Sequence, residues 1–226
     1  NPLEQSEVLT FSPTRFSHVI SLVYVNGVFC ASLMEKSLAI GAGAHIGRSG
    51  RPSDFISKAS AKLVEAYERL EFYSQSSSKG SVAIDIGASP GGWSAYLVNH
   101  FERVIAVDKG EIDARLLPRV EHWAMRGEEA IEKLLAEKNL TINCFVCDMN
   151  CDLTDTVDLF VSALPLLAPS FRGVITFKQT VRNKKEWAEM KKLGIETISK
   201  SLPKAFVKEV HLIANTPKET TILIWT

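Results

Sequence analysis

"DIGASPGGWS", Asp85 to Ser94, lies between the apolar run "SVA" and the segment "AYLV", so a glycine-rich turn joins a strand to a helix. A turn of this kind commonly holds a pyrophosphate at the helix N-terminus. The spacing is wrong for a dinucleotide, because Gly87, Gly91 and Gly92 do not make G-x-G-x-x-G and Asp85 would set a carboxylate near the phosphates. A ligand with a cationic amino-acid portion reverses the argument: an ammonium and a sulfonium gain from an acidic strand end, and glycines let the backbone approach closely. S-adenosylmethionine is such a ligand. Asp85, Gly87, Ala88, Pro90, Gly91, Gly92 and Trp93 are then its seat, and Asp108, at the end of "RVIAVD", takes the second-strand place where a carboxylate accepts both ribose hydroxyls. The bland alternative is a glycine turn with no ligand and a solvated Asp85.

Downstream of the turn the elements alternate. Strand "VAIDIG" is followed by a helix from Gly92, strands "RVIAVD" and "VEHWAM", helix "EEAIEKLLAEK", strand "INCFVCDM", a helix around "TDTVDLFVSALPLL", strand "GVITFKQ" and helix "KKEWAEMKKLGIETISKSL". This pattern predicts a mostly parallel sheet covered on both faces. The closing strands "FVKEVHLIA" and "ETTILIWT" are joined around Asn215 to Lys218, too short a connection for a parallel crossover, so that pair is antiparallel. Upstream, "HVISLVYVNGVFCASLM" reads as a hairpin with a type I′ turn at Asn26-Gly27. "GAGAHIGRSGRPSD" is irregular, and helix "ISKASAKLVEAYERLEF" carries Ala59, Leu63, Ala66, Tyr67 and Leu70 on one stripe. The chain thus divides into an N-terminal hairpin and loop over 1–55 and an α/β domain over 56–226.

A chain of 226 residues builds one good core rather than two. Apolar residues make up 46% and charged residues 23%, with no apolar run of about 18 residues, which excludes a membrane-spanning helix. No signal peptide is recognisable; the chain opens on Asn1, which suggests either a trimmed chain or a piece of a longer protein, and the cytoplasm is the expected compartment, with an organelle as the alternative if an upstream targeting segment is missing. Cys144, Cys147 and Cys151 lie close together, but side chains on a strand alternate, so Cys144 and Cys147 point to opposite faces. They are expected to be structural thiols, and no metal site is expected.

"DIGASPGGWS" resembles the "DLGAAPGGWS" signature of the FtsJ (RrmJ-type) ribose 2′-O-methyltransferases, and "SKASAKL" resembles that family's "SRAxxKL" helix; the likeness runs from about Ser57 to Thr226. Within the family, "GASPGGWSAYLV", "AVDKG" and "VCDM" are most similar to RlmM-like rRNA methyltransferases. The resemblance implies a Rossmann-like fold on a seven-stranded sheet, S-adenosylmethionine as cofactor, RNA (ribosomal RNA first) as substrate, and a Lys-Asp-Lys-Glu catalytic tetrad. Its positions here are Lys62, Asp148, Lys178 and Glu219, with Asp148 also bordering the cofactor seat.

The residues make a separate case for this tetrad. Asp148 and Lys178 fall at carboxyl ends of parallel strands, where open α/β sheets bind ligands, and Glu219 opens an antiparallel strand at the same edge. A lysine within "GVITFKQT" is costly to bury unless carboxylates pair with it; Asp148 and Glu219 are the candidates. A ribose hydroxyl is a poor nucleophile, so an amine that takes or stabilises its proton is the required catalyst. Lys178 is assigned that role, and Lys62 the orientation of the hydroxyl. For each of the four the competing reading is an ordinary salt bridge.

Lysine plus arginine and aspartate plus glutamate both number 26, so interactions with phosphates must come from local patches. Arg48, Arg51 and Lys58 precede Lys62, and Arg182, Lys184 and Lys185 follow Lys178; a solvated face is the alternative for both. Trp93 and Trp225 are expected in the core. Oligomeric state is not legible. The alternatives to an RNA ribose methyltransferase are a methyltransferase on another substrate (an mRNA cap, tRNA, a small molecule or a protein) and an inactive scaffold on the same fold.

Overall fold

A computed structural model describes residues 17–35, 56–57, 59–74, 80–137 and 140–226 of the chain. Residues 17–35 form a two-stranded sheet, β1 (His18–Val25) against β2 (Val28–Glu35). Asn26 and Gly27 turn with φ of 50° and 84°, the pair of positive values that a type I′ turn requires.

The main sheet has seven strands in the order β5-β4-β3-β6-β7-β9-β8. β3 (Gly80–Ile86), β4 (Phe101–Val107), β5 (Glu121–Trp123), β6 (Ile142–Cys147) and β7 (Leu167–Lys178) run parallel. β9 (Glu219–Trp225) runs antiparallel between β7 and β8 (Phe206–Val210). The antiparallel ending is as the sequence predicts, but the insertion of the last strand beside β7 is not legible there.

Alternation along the strands splits the interior into two cores. Ala83, Val104, Val146, Val174 and Leu223 meet α1 (Ser60–Ser74) and α2 (Gly92–Leu97) through Leu63, Ala66, Tyr67, Leu70, Trp93 and Leu97. Ile84, Ile105, Phe145, Ile175 and Ile222 meet α3 (Gly127–Ala136), α4 (Leu153–Ser162) and α5 (Lys184–Ser201) on the opposite face. Cys144 belongs to the first core and Cys147 to the second, and burial pushes both thiols up to about 12. Tyr67 Oη lies 2.6 Å from Cys144 Sγ, so that thiol is held inside the packing.

Four boundaries differ from the expectation. α1 begins at Ser60 rather than Ile56. The helix expected through Leu167 stops at Ser162, because Pro165 cannot continue it; a 3₁₀ turn (Leu164–Leu166) follows and β7 starts at Leu167, before Gly173. β8 ends at Val210, leaving 211–218 as the connection to β9. Among the described residues no helix is long and apolar enough to cross a membrane.

Candidate active site

β3, β4, β6 and β7 all end at one edge of the sheet. The loops leaving them enclose a cleft of about 710 Å³ lined by Gly87, Ala88, Ser89, Pro90, Gly92, Trp93, Asp108, Asp148 and Lys178, with Met125, Arg126 and Cys151 across from the loop residues. This is the place and the size of a ligand site in an open α/β sheet.

The glycines serve the chain as much as any ligand. Gly87 and Gly91 hold φ of 80° and 109°, which other residues rarely adopt. A Cβ on Gly87 would stand 2.9 Å from Met149 Cγ, on Gly91 2.5 Å from Leu116 Cδ1, and on Gly92 2.1 Å from Ser57 Oγ. The tight loop therefore packs against β6's exit and against the residues that lead into α1. Trp93 is core, as expected, and its indole N–H donates to the Ala59 carbonyl at 2.7 Å. That same carbonyl accepts the backbone N–H of Lys62 at 3.0 Å.

Asp108 lines the cleft with a fixed carboxylate: Ser89 N–H donates to Oδ2 at 3.1 Å and Gly110 N–H to Oδ1 at 2.7 Å. Each oxygen keeps acceptor capacity for a vicinal diol. Asp85 is placed otherwise than the motif suggests. It shares the face of Ala83, which α2 covers, so it is fully buried and is not among the cleft-lining residues; nor is Gly91. Ser94 Oγ donates to Asp85 Oδ2 at 2.7 Å. Burial pushes the carboxyl up to about 7, against the pull of the Ser94 hydrogen bond.

Ser57 has no place among the residues that the sequence marks for the site. It lines the cleft, and its Oγ is buried with no hydrogen-bond partner among the described residues, which leaves it able to meet a polar atom of a ligand. The only sequence signal for it is its position just ahead of α1.

The four tetrad candidates do come together. Lys62 Nζ stands 3.3 Å from Asp148 Oδ2 and 3.0 Å from Glu219 Oε2, and Lys178 Nζ stands 3.3 Å from Asp148 Oδ1. Lys178 also donates to the Asp148 carbonyl at 2.9 Å. The side chains are 9–18% exposed, so four charges are removed from most of their water, which is tolerable because they sum to zero. Burial pushes Glu219 up, but the Thr216 N–H, the hydrogen bond from Lys62 and the charges of Lys62 and Lys178 outweigh it and hold the carboxyl below its ordinary value. One partnership differs from the expectation: Glu219 pairs with Lys62, and Asp148 is the shared carboxylate.

Arg182, Lys184 and Lys185 are exposed at the start of α5, where Asn183 caps the helix by accepting from Lys185 N–H at 2.9 Å. Arg48, Arg51 and Lys58 lie outside the described residues.

A parallel sheet with its last strand inserted antiparallel, and a glycine loop and second-strand carboxylate framing one cleft, define a Rossmann-like methyltransferase domain. The FtsJ-like methyltransferase family model matches residues 55–202, well over half of the chain, and the chain belongs to that family. Among curated proteins, it is 33% identical over 112 residues to ribosomal RNA large subunit methyltransferase M of Thauera aminoaromatica, covering 46% of this chain and 28% of that one. It is 38% identical over 105 residues to the protein of the same name from Pasteurella multocida, covering 43% and 27%. The matched stretch thus spans about a quarter of the length of these relatives. An rRNA methylase structure from Streptococcus thermophilus superposes with a TM-score of 0.50 at 13% identity, covering 69% of this chain and 92% of that one, a likeness of fold. S-adenosylmethionine is the cofactor the family implies. The residues present fit it: the Asp108 carboxylate, held by two backbone N–H groups, keeps acceptor capacity at the cleft, and the Ser57 hydroxyl has no hydrogen-bond partner among the described residues.

Proposed function

We propose that the chain methylates the 2′-hydroxyl of an RNA ribose, with ribosomal RNA as the first candidate, and that Lys62, Asp148, Lys178 and Glu219 carry the reaction. The observation that carries this reading is the compact, charge-balanced network at the edge of the cofactor cleft, with amine–carboxylate distances of 3.0–3.3 Å. The names of the bacterial relatives support RNA as the substrate.

When bound, S-adenosylmethionine supplies a methyl group on a sulfonium leaving group. The protein's task is to make a weak nucleophile react. Of the two tetrad lysines, Lys178 is the one that lines the cleft; it donates to the Asp148 carbonyl and pairs with Asp148 Oδ1. As the ammonium, Lys178 donates to the acceptor oxygen and stabilises the charge that develops there; once it has released a proton to solvent, its free amine takes the hydroxyl's proton as the oxygen is aligned. Lys62, held between Asp148 and Glu219, orients that oxygen and offsets the charge that develops on it. Arg182, Lys184 and Lys185 offer cations to the phosphates of the strand.

Transfer of labelled methyl groups into total RNA, followed by mapping of 2′-O-methyl sites, tests the reading. Label in ribose 2′-positions is expected. Label confined to bases, to protein or to small molecules would overturn it and favour a methyltransferase acting on another substrate.

A further inference from the structure

A second concavity shares a wall with the tetrad. Between the first turns of α5 and the 211–218 connection lies a groove of about 390 Å³ lined by Trp187, Lys191, Glu209, His211, Pro217 and Glu219. Glu219 faces both places: its carboxylate pairs with Lys62, and its backbone carbonyl lies 3.2 Å from His211 Nδ1. Trp187 is only partly buried although it packs on the core, so an aromatic surface is left on the groove. Lys191, one turn further along α5, is ion-paired with Glu209 and stands 5.9 Å from the Trp187 ring centre. Lys184, one turn before Trp187, shares its helix face and is exposed.

An indole, an exposed imidazole lining the same groove and the exposed Lys184 one turn before the indole form a set that recognises an unstacked nucleobase with its phosphate. We propose that this groove seats the nucleobase adjacent to the acceptor ribose, stacked on Trp187, so that the substrate strand is presented unpaired. The proposal rests on the reading of the tetrad as an RNA ribose site. It adds a constraint which that reading lacks: a base held in a duplex cannot lie on Trp187, so the target is a loop, a bulge or a single-stranded end.

The probe is a short unstructured oligoribonucleotide of mixed sequence carrying 5-iodouridine, offered alone and annealed to its complement. With the wild-type chain, the single strand is expected to cross-link at Trp187 or His211, and the duplex to bind much more weakly. Trp187→Ala should raise both Kd and KM for the single strand about tenfold or more, the scale of removing one base–aromatic stack, with S-adenosylhomocysteine affinity unchanged; Trp187→Phe should keep most of the binding. If Trp187→Ala does not fold, the wild-type cross-link decides. Cross-links confined to other surfaces, equal binding of duplex and single strand, or an unaltered KM in a folded Trp187→Ala enzyme that still methylates RNA would overturn the groove alone. A wild-type enzyme that neither binds nor methylates RNA would overturn the tetrad reading, and the groove with it.

Discussion

Lys178 and Glu219 stand directly opposite each other at the end of the β7–β9 pair, yet the Glu219 carboxylate pairs with Lys62 at 3.0 Å. Residues directly opposed across an antiparallel pair project to the same face, so the register delivers an amine and a carboxylate side by side. Lys62 then reaches in from α1 to take the second carboxylate, and Asp148 joins the two amines.

Lys178→Ala should abolish methyl transfer, by at least about a hundredfold, the scale of losing a positioned proton acceptor, while S-adenosylhomocysteine binding stays near normal. Asp148 keeps Lys62 as a partner in that variant, so the melting temperature should change little. Lys178→Arg separates two roles, because guanidinium keeps the charge but does not accept a proton. An inactive arginine variant supports proton transfer, a largely active one supports a purely electrostatic clamp, and normal turnover in the alanine variant would remove Lys178 from the reaction.

Asp108→Ala should weaken the cofactor strongly, by about tenfold or more, since a carboxylate offering two acceptors is worth more than one ordinary hydrogen bond. It also strands the N–H groups of Ser89 and Gly110 that now donate to it. Calorimetric titration with S-adenosylhomocysteine checks this, and an unchanged affinity would place Asp108 outside the site.

Asp85 gives a pH dependence with a definite sign. Its carboxyl rises from 3.8 in the unfolded chain to about 7 in the fold, chiefly through burial, so the folded chain holds the proton more tightly. The stability this confers is complete below about pH 4 and is lost as pH climbs towards about 7, a swing on the order of 4 kcal/mol. Asp85→Asn should therefore gain on the wild type as pH rises from about 4 to about 7 in urea unfolding, the window those two values set. Parallel curves would show that Asp85 does not titrate there.

Replacing Arg182, Lys184 and Lys185 together by alanine should weaken RNA binding at low salt and flatten its salt dependence. For a single strand, each phosphate that is no longer neutralised lowers the log–log slope by about 0.7. Binding measured across a salt series decides between phosphate neutralisation by these three cations and an ordinary solvated face, which would leave both affinity and slope unchanged.

The sequence carried the tetrad because three of its members are tied to strand ends: Asp148 just past β6, Lys178 closing β7 and Glu219 opening β9. A strand end in a parallel sheet fixes a side chain's place without any long-range information. What strand ends cannot convey is which carboxylate meets which amine, because β9 pairs with β7 across the whole of α5 and β8, and Lys62 arrives from a helix packed on the other side. Asp85 shows the same limit in miniature. Its motif position is obvious, but whether it faces the cleft or the underside of α2 depends on how β3 is covered. Ser57 was invisible for a different reason, since a serine ahead of a helix usually reads as a capping residue.

The Ala59 carbonyl, which receives both the Trp93 indole and the Lys62 backbone N–H, ties the glycine loop to the first turn of α1. On the proposed function, a ligand that displaces Trp93 would therefore also displace the turn from which Lys62 projects. Two cofactor analogues held equally tightly, but pressing differently on the indole, should then separate in turnover while coinciding in Kd.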